Sequence, residues 1–344
     1  MLVMLIMQHG TICLWRLAAY AATSAQTSSV QRRFYRFFQY IKLDGAMSAR
    51  VIVVLLGLSE RAWTLAIDRT NWRFGKVEIN ILMVSVRWNG VAIPLIWTLL
   101  DTAGNSKTQT RAELLDRLSK SFPDMKVASF TGDREFIGNQ WMTDLMAAKI
   151  PFTLRLRENQ QVVREGYATM SIQSIAAQLR RGNTMIIKGR CQLGEHAGPD
   201  APFVRLVIMR LNTGELLALA TSGNPRKALE NYRERWSIET MFANLKTRGF
   251  NMEDTHITNP DKLSTLLAIL ALAVAMAAKT GVAAARLNPI SIKKHGRRAL
   301  SIFALGLSRL RKIFVSANPA EIFDFIRELL SPKLPVKSLK SMPF

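Results

Sequence analysis

The dipeptide Asn89-Gly90 is the feature that most restricts how this chain can fold. It separates two runs rich in β-branched and aromatic residues, 78–87 and 91–100, and Asn-Gly between such runs is typical of a two-residue β-hairpin turn. A third apolar run, 63–68, comes before them and ends on Asp68. The pattern therefore predicts three consecutive antiparallel strands, with a carboxylate at the end of the first.

Helical and β-rich segments alternate after the hairpin. Residues 107–120 and 139–149 have helical character, whereas residues 126–131 and 152–157 have the composition of strands. The fourth strand ends at Gly132-Asp133, so a second carboxylate follows a strand. Three strands, helix, strand, helix, strand is the order of a ribonuclease H-like fold. The sequence thus predicts an α/β chain with a mixed sheet flanked by helices.

The predicted elements divide the chain into regions. We expect a helical N-terminal region over residues 1–60 and a ribonuclease H-like domain over residues 61–157 and 224–315. Residues 158–223 contain alternating runs separated by glycine-containing turns, which predict a β-rich insertion. Residues 316–344 are expected to form a C-terminal helix, a candidate dimer contact, followed by a disordered tail from Ser331.

Basic residues exceed acidic residues throughout the chain. Lys and Arg number 47 against 25 Asp and Glu, which gives a net charge of +22. Such an excess indicates a polyanionic partner, with DNA or RNA first, although an anionic membrane surface or a ribosome would also account for it. The two cysteines are far apart and lack metal-ligand spacing, so neither a disulfide framework nor a zinc site is indicated and a reducing cytoplasm fits.

Two apolar segments resemble membrane signals. Residues 1–6 are apolar but lack a basic flank, which argues against a secretory signal. Residues 263–278 are uncharged and rich in alanine, but this run is shorter than the roughly 20 residues that a spanning helix needs. A helix buried in a protein core, with no membrane partner, is the better interpretation.

Residues 31–40 interleave basic and aromatic side chains. One interpretation is a helical arm that contacts DNA; the other is an ordinary amphipathic helix with Phe34, Phe37 and Phe38 in a core. Both hold if the arginines face outward. Residues before about Thr23 do not resemble a folded DNA-binding domain, as expected of a truncation or a mis-assigned start.

One long helix is predicted between a start signal at Asn224-Pro225 and a stop at Gly249. Four polar residues share one face of it, in steps of three, four and seven: Tyr232, Arg235, Glu239 and Lys246. A neighbouring apolar stripe consists of Ile238, Met241, Phe242 and Leu245. Packing of that stripe on the sheet would direct Glu239 toward the strand-end aspartates.

Three such carboxylates would suit a hard cation. Asp68, Asp133 and Glu239 offer oxygen ligands for Mg²⁺ or Mn²⁺, and two ions can activate an attacking water or 3′-hydroxyl and stabilise the leaving oxygen. Arg235 and Lys246 would bind phosphates, and Tyr232 could hydrogen-bond one. Each signal alone has an ordinary explanation, since charged helix faces are usually solvated ion pairs and strand-end aspartates usually lie in turns. Their order along the chain favours a site.

The spacing Y-x2-R-x3-E-x6-K of Tyr232, Arg235, Glu239 and Lys246 resembles the signature of the insertion sequence four family of bacterial DDE transposases. The text around Asp68, Ala-Ile-Asp-Arg-Thr-Asn-Trp, and that around Asp133, Gly-Asp-Arg-Glu-Phe-Ile-Gly, is also similar to that family. The resemblance covers residues 31–314, most of the chain.

The resemblance implies a cytoplasmic, nucleoid-associated enzyme that performs cut-and-paste transposition as a homodimer on double-stranded DNA. Asp68, Asp133 and Glu239 would be its catalytic metal ligands, and Tyr232, Arg235 and Lys246 would contact the cleaved transposon end. Nicking at the inverted repeats, a hairpin intermediate and strand transfer into target DNA would follow. The alternative is a catalytically inactive, transposase-derived DNA-binding protein.

One departure concerns the hairpin step. Relatives can stack a flipped base on a tryptophan of the insertion, but no tryptophan occurs here between Trp141 and Trp236. Tyr167 and Phe203 are the candidate substitutes, because any aromatic ring can stack on a base. Strand cleavage is therefore more firmly expected than hairpin formation.

Overall fold

The elements of the fold come from a computed structural model that describes residues 1–100, 104, 106–195, 198, 201–294, 296–316 and 318–341. Its strands are β1 Trp63–Phe74, β2 Val77–Trp88, β3 Val91–Leu99, β4 Val127–Gly132, β5 Phe152–Leu156, β6 Gln161–Val163, β7 Met170–Ser171, β8 Thr184–Ile186, β9 Gln192–Leu193, β10 Arg205–Arg210 and β11 Leu216–Thr221.

The α-helices begin and end as follows: α1 Leu2–His9, α2 Leu14–Ala19, α3 Thr27–Tyr40, α4 Gly45–Leu56, α5 Thr108–Ser121, α6 Asn139–Ala147, α7 Ile172–Ile175, α8 Ala228–Glu234, α9 Trp236–Lys246, α10 Pro260–Leu287, α11 Ile302–Ser316, α12 Pro319–Leu330 and α13 Val336–Ser341. Short 3₁₀ turns lie at Arg134–Phe136, Pro225–Lys227 and Met252–Asp254.

A mixed sheet organises the fold. In the part of the chain that the structure describes it has eight strands, in the order β3-β2-β1-β4-β5-β11-β10-β8. β2 and β3 pair antiparallel through the predicted turn, where Asn89 and Gly90 both have positive φ, whereas β4 is parallel to both β1 and β5. With its flanking helices, this sheet confirms the predicted α/β class and the ribonuclease H-like strand order.

The first strand is longer than predicted, because it continues past Asp68 to Phe74. Thr70 and Trp72 are buried and Asn71 and Arg73 are exposed, so the alternation of a half-buried strand extends six residues further. The prediction that the strand ends at Asp68 was therefore wrong. Asp68 lies within β1, whereas Asp133 follows β4 directly, as predicted.

The strands between residues 158 and 223 extend the central sheet. β11 pairs antiparallel with β5, β10 with β11, and β8 with β10. Only the short strands β6, β7 and β9 form a separate sheet among the described residues. The β-rich character predicted for this stretch is present, but three of its six described strands continue the main sheet. Pro199, part of a turn predicted at Gly198-Pro199, lies outside the described residues.

Contacts divide the chain into two compact units. The first consists of Met1–Arg61, Arg69–Ala103 and Ser237–Phe344, and the second of Ala62–Asp68 and Gly104–Trp236.

The first unit is built around α10, whose start is capped by the Asn259 side chain and fixed by Pro260. α11 packs closely on it, since a Cβ at Gly306 would overlap the Ala277 carbonyl. This contact requires glycine.

α10 is long and apolar enough to cross a membrane, but 94% of its apolar 18-residue stretch is buried within the protein. That burial favours the interpretation as a core helix. α1 also contributes to this core, with Leu5, Ile6 and Met7 buried. The C-terminal tail predicted to be disordered instead contains α13, because Leu339 finds a buried position in the first unit; residues 342–344 lie outside the described part.

Lys279, in the C-terminal half of α10, is completely buried. Its ammonium donates hydrogen bonds to the carbonyl oxygens of Leu55 at 2.7 Å and Leu329 at 2.8 Å, and to that of Ser331. These carbonyls stand at the C-terminal ends of α4 and α12, where helices leave acceptors unsatisfied and carry partial negative charge. The lysine thus connects two helix ends to the core helix.

Replacing Lys279 with methionine is expected to lower the free energy of unfolding by about 2–4 kcal/mol, because three buried carbonyl oxygens lose their donors. Urea denaturation would measure the change. Lys262→Met, on the first turn of the same helix and only partly buried, is the matched control and should change stability by less than about 0.5 kcal/mol. Equal effects of the two variants would show that the buried contacts of Lys279 contribute little.

The same lysine should make stability depend on pH. Burial lowers the pKa of Lys279 to about 8, with the charge of Glu328 opposing that shift. Between pH 8 and the ordinary value of 10.5, the unfolded chain binds this proton more tightly than the folded protein, so the contribution of Lys279 to stability rises with pH. The stability difference between the wild type and Lys279→Met should therefore grow from about pH 7.5 to about pH 9.5; a decrease would contradict the lowered pKa.

Candidate active site

Asp68 lies on β1, and Asp133 directly follows the neighbouring strand β4, both within the second unit. β1 and β4 run parallel, with Leu65 opposite Phe130 and Ala66 opposite Thr131. The same register, continued by two residues, sets Asp68 opposite Asp133. Paired residues of adjacent strands lie about 5 Å apart and point to the same face of a sheet. The register therefore directs both carboxylates to one face.

Asp68 forms an ion pair with Arg235. The Nη1 atom of Arg235 lies 3.0 Å from Oδ2 of Asp68, and the side chains are only 6% and 17% exposed. The guanidinium carbon also lies 5.3 Å from the centre of the Tyr232 ring. A buried charge pair of this kind holds its members in a defined geometry, because separating them would leave a charge unpaired in the interior. Arg235 therefore fixes the orientation of Asp68.

Asp133 is held by Tyr232. The phenol donates a hydrogen bond of 3.1 Å from Oη to Oδ1 of the carboxylate. Burial, together with the nearby negative charge of Asp133, raises the pKa of Tyr232, so the hydroxyl remains a donor at neutral pH. The ring is anchored because α8 packs on β4, β5 and β11 and because Tyr232 joins a buried cluster with Val207, Leu219 and Ala228.

The predicted single helix is interrupted between Tyr232 and Glu239. The chain enters it through a 3₁₀ turn, α8 ends at Glu234 and α9 begins at Trp236. Arg235 keeps helical dihedral angles, but its backbone N–H bonds to the carbonyl of Tyr232, three residues back instead of four. The prediction of one uninterrupted helix was wrong at this point because the turn tightens where Arg235 reaches Asp68.

Glu239 and Lys246 belong to the first unit. Glu239 is partly buried on α9, beside the predicted apolar stripe of Ile238, Met241, Phe242 and Leu245, all of which are buried. Lys246 donates to the backbone oxygen of Asn71 at 2.8 Å and pairs with Glu253 at 2.9 Å. Its ammonium lies 5.6 Å from the centre of a Trp72 ring. Lys246 is thus held between β1 and the loop after α9.

The structure joins the predicted residues in pairs. Tyr232 contacts Asp133, and Arg235 contacts Asp68. Among the described residues, no three His, Cys, Asp or Glu side chains cluster closely enough to hold a metal ion. The two aspartates on one sheet face nevertheless fit a hard divalent cation in ligand type. They provide two of the three carboxylates that were predicted.

Arginines beside Asp133 were not anticipated from the sequence. Arg134 follows it directly and pairs with Glu215 at 2.8 Å, and Arg155 on β5 pairs with the same carboxylate. Arg155 is also close enough to Tyr232 to influence the pKa of its phenol. The sequence offered one indication of Arg155, because it is the one charged residue in the apolar strand Phe152–Leu156. These arginines give the surroundings of Asp133 a positive character.

Comparison with known proteins completes the description. A sequence search of curated proteins found no significant match. Among solved structures, the chain is similar to piggyBac transposase in a cryo-EM synaptic complex with hairpin DNA, with 14% sequence identity, a TM-score of 0.45, and coverage of 99% of this chain and 77% of that one. The profile of the family described as "Transposase DDE domain" matches residues 60–276, well over half of the sequence. The chain therefore belongs to the Transposase DDE domain family.

Proposed function

We propose that this protein is a DNA transposase that cuts at the inverted-repeat ends of its element and joins those ends to target DNA. Family membership supports transposition in general. The observation that carries the finer proposal is that Asp68 and Asp133, on and directly after the parallel strands β1 and β4, are each held by a buried side chain. Such an arrangement presents two oriented oxygen ligands without a nucleophilic side chain.

The proposed chemistry depends on a divalent metal, as is general for DDE transposases. Asp68, Asp133 and Glu239 would supply the carboxylate ligands for Mg²⁺, with Mn²⁺ as a substitute and two ions in all. When bound, the metal activates the attacking oxygen and stabilises the leaving one. Arg235 keeps Asp68 in position and Tyr232 keeps Asp133 in position through the contacts described above. The protein's own contribution is thus orientation and charge.

Membership of the insertion sequence four family is part of this proposal. Two residues of the Y-R-E-K pattern, Tyr232 and Arg235, each contact one of the proposed catalytic aspartates, which supports a common site for the pattern. We further propose cut-and-paste transposition by a homodimer, acting on nucleoid DNA in the cytoplasm. A hairpin intermediate, with an aromatic residue of the insertion stacking on a flipped base, is also part of the proposal.

The competing proposal is an inactive DNA-binding descendant. Retention of Asp68, Asp133 and Glu239 argues against it. The deciding experiment is cleavage of a labelled duplex that carries the inverted repeats flanking the gene, with Mg²⁺ or with EDTA. Metal-dependent cutting at the repeat boundary is expected. Binding without cutting in Mg²⁺ and in Mn²⁺ would favour the inactive descendant, and absence of binding would count against both.

Lys246→Ala is expected to weaken binding to transposon ends and to flatten its salt dependence by roughly one unit of slope, because one phosphate contact is lost. Glu253 now pairs with Lys246, so a phosphate would replace this carboxylate; Glu253→Gln should therefore have the opposite effect and strengthen binding. Fluorescence anisotropy at several salt concentrations would measure both. Lys120→Ala, at an exposed ion pair on α5, is the control. An unchanged slope would remove Lys246 from the DNA interface.

A further inference from the structure

A cavity of about 250 Å³ lies within the first unit, whereas Asp68 and Asp133 belong to the second. It is bounded by the segment that joins α1 to α2, by α3, and by the extended segment after the 3₁₀ turn at Met252–Asp254. The lining side chains that concern recognition are Trp15, Gln31, Tyr35, Asp254, Thr255 and His256. None of these residues has a role in the proposed catalysis.

Aromatic side chains at this cavity are unusually exposed. Trp15 is 54% and Tyr35 is 55% exposed, although aromatic residues usually bury most of their surface. His256 also lines the cavity, and its ring lies 5.0 Å from that of Phe74. Exposed rings at a concave site offer faces on which a planar group can stack.

Size and polarity restrict the occupant. The cavity is smaller than the roughly 300–1,000 Å³ that holds a drug-sized ligand, so one small ring system would fill it. The Gln31 amide both donates and accepts hydrogen bonds, and the Asp254 carboxylate accepts them. The negative charge of Asp254 would repel a phosphate but can accept a hydrogen bond from an amino group. The chemistry favours a neutral aromatic heterocycle that carries donors.

Positive charge lies beside the cavity. Gln31 and Tyr35 are one turn apart on α3, and Arg32 and Arg36 follow each of them directly on the exposed surface. α3 contains no acidic residue. On the other side, the lining residues Asp254 to Ile257 follow Glu253, the partner of Lys246. A polyanion that follows the arginines of α3 could place one of its attached rings in the cavity.

We propose that this cavity binds one unstacked base of single-stranded DNA, stacked against Trp15 and Tyr35, with the flanking phosphates on Arg32 and Arg36. The inference rests on the proposed function only in taking DNA as the polyanion. This base contact would be separate from the proposed catalytic site. It would favour the binding of DNA whose two strands have separated near the protein.

The test compares two single-stranded oligonucleotides of equal length by fluorescence anisotropy, one with normal bases and one with abasic sugars throughout. The wild type should bind the first more tightly. Trp15→Ala and Tyr35→Ala should lose about fivefold or more of that preference, because each base–aromatic stack contributes measurably to affinity. Tyr35→Phe should retain it. Tyr40→Ala is the matched control, since Tyr40 is 71% exposed on the same helix but does not line the cavity.

A second measurement uses the thiol of Cys13, which lines the cavity, whereas Cys191 is fully buried. Oligonucleotide with bases should slow alkylation of Cys13, and abasic oligonucleotide should not. No preference for bases in the wild type, or equal behaviour of Tyr35→Ala and Tyr40→Ala, would overturn the base site while leaving metal-dependent duplex cleavage intact. Failure to bind any DNA, duplex or single-stranded, would overturn the proposed function and this inference together.

Discussion

Asp133→Asn is expected to abolish metal-dependent strand cleavage, with a loss of at least about a thousandfold, because a metal ligand contributes several kcal/mol of transition-state stabilisation. Asparagine keeps an oxygen that can accept the hydrogen bond from Tyr232, so the variant should fold as the wild type does. The substitution removes the negative charge of the side chain and preserves its shape. Single-turnover cleavage of a labelled transposon end in Mg²⁺ would measure the loss.

The control for this variant is Asp116→Asn. Asp116 is exposed on α5, where it pairs with Lys120, and its replacement should leave cleavage within about twofold of the wild type. Cleavage by Asp133→Asn at more than a few per cent of the wild-type rate would remove Asp133 from the metal site. Addition of Mn²⁺ in place of Mg²⁺ gives a further comparison, since partial recovery of the variant would indicate a weakened site and not an unfolded one.

Glu239→Gln is expected to cause a comparable loss of cleavage while binding to transposon ends stays within about twofold, because the substitution removes a metal ligand and no phosphate contact. The result for Glu239→Gln tests the three-carboxylate proposal more directly than a variant of either aspartate does. Tyr232 and Arg235 already tie the aspartates to the signature, whereas the role of Glu239 rests on the spacing of the sequence pattern. Cleavage and anisotropy should be measured on the same preparation.

Glu230→Gln is the matched control, since Glu230 is an exposed acidic residue on α8. Full cleavage by Glu239→Gln would refute the three-carboxylate assignment and direct attention to another acid near Asp133, of which Glu135 is the nearest in sequence. Loss of both binding and cleavage would instead give Glu239 a part in holding DNA or the fold.

Much of the fold could be predicted from local patterns. Asn89-Gly90 defined a hairpin because two residues with positive φ fit the twist of the strands. The alternation of strands and helices gave the order of the sheet. The length of β1 was missed because Arg69 and Asn71 interrupt an apolar run, although Thr70 and Trp72 are buried and maintain the strand period. Polar residues on the solvent-facing side of a strand interrupt the apolar run, so the end of the strand is predicted too early.

The residues proposed for the site came from spacing along the sequence, whereas their contacts did not. Spacing selected Tyr232 and Arg235, and both were expected to reach DNA phosphates. In the structure they contact Asp133 and Asp68, which are 99 and 167 residues away in sequence. Such pairs depend on tertiary packing, here of α8 on β4 and β5, which no local pattern encodes. The arginines beside Asp133 were missed for the same reason.

The position in the sequence of the carbonyls that accept hydrogen bonds from Lys279 has a consequence for truncated forms of the protein. Two of them belong to Leu329 and Ser331, within the last 16 residues of the sequence. A premature stop codon before Leu329 would remove both of them and leave the Leu55 carbonyl as the one remaining acceptor of the three for an ammonium inside an apolar helix. Such a truncation should therefore destabilise the first unit even though Asp68, Asp133 and Glu239 are unchanged.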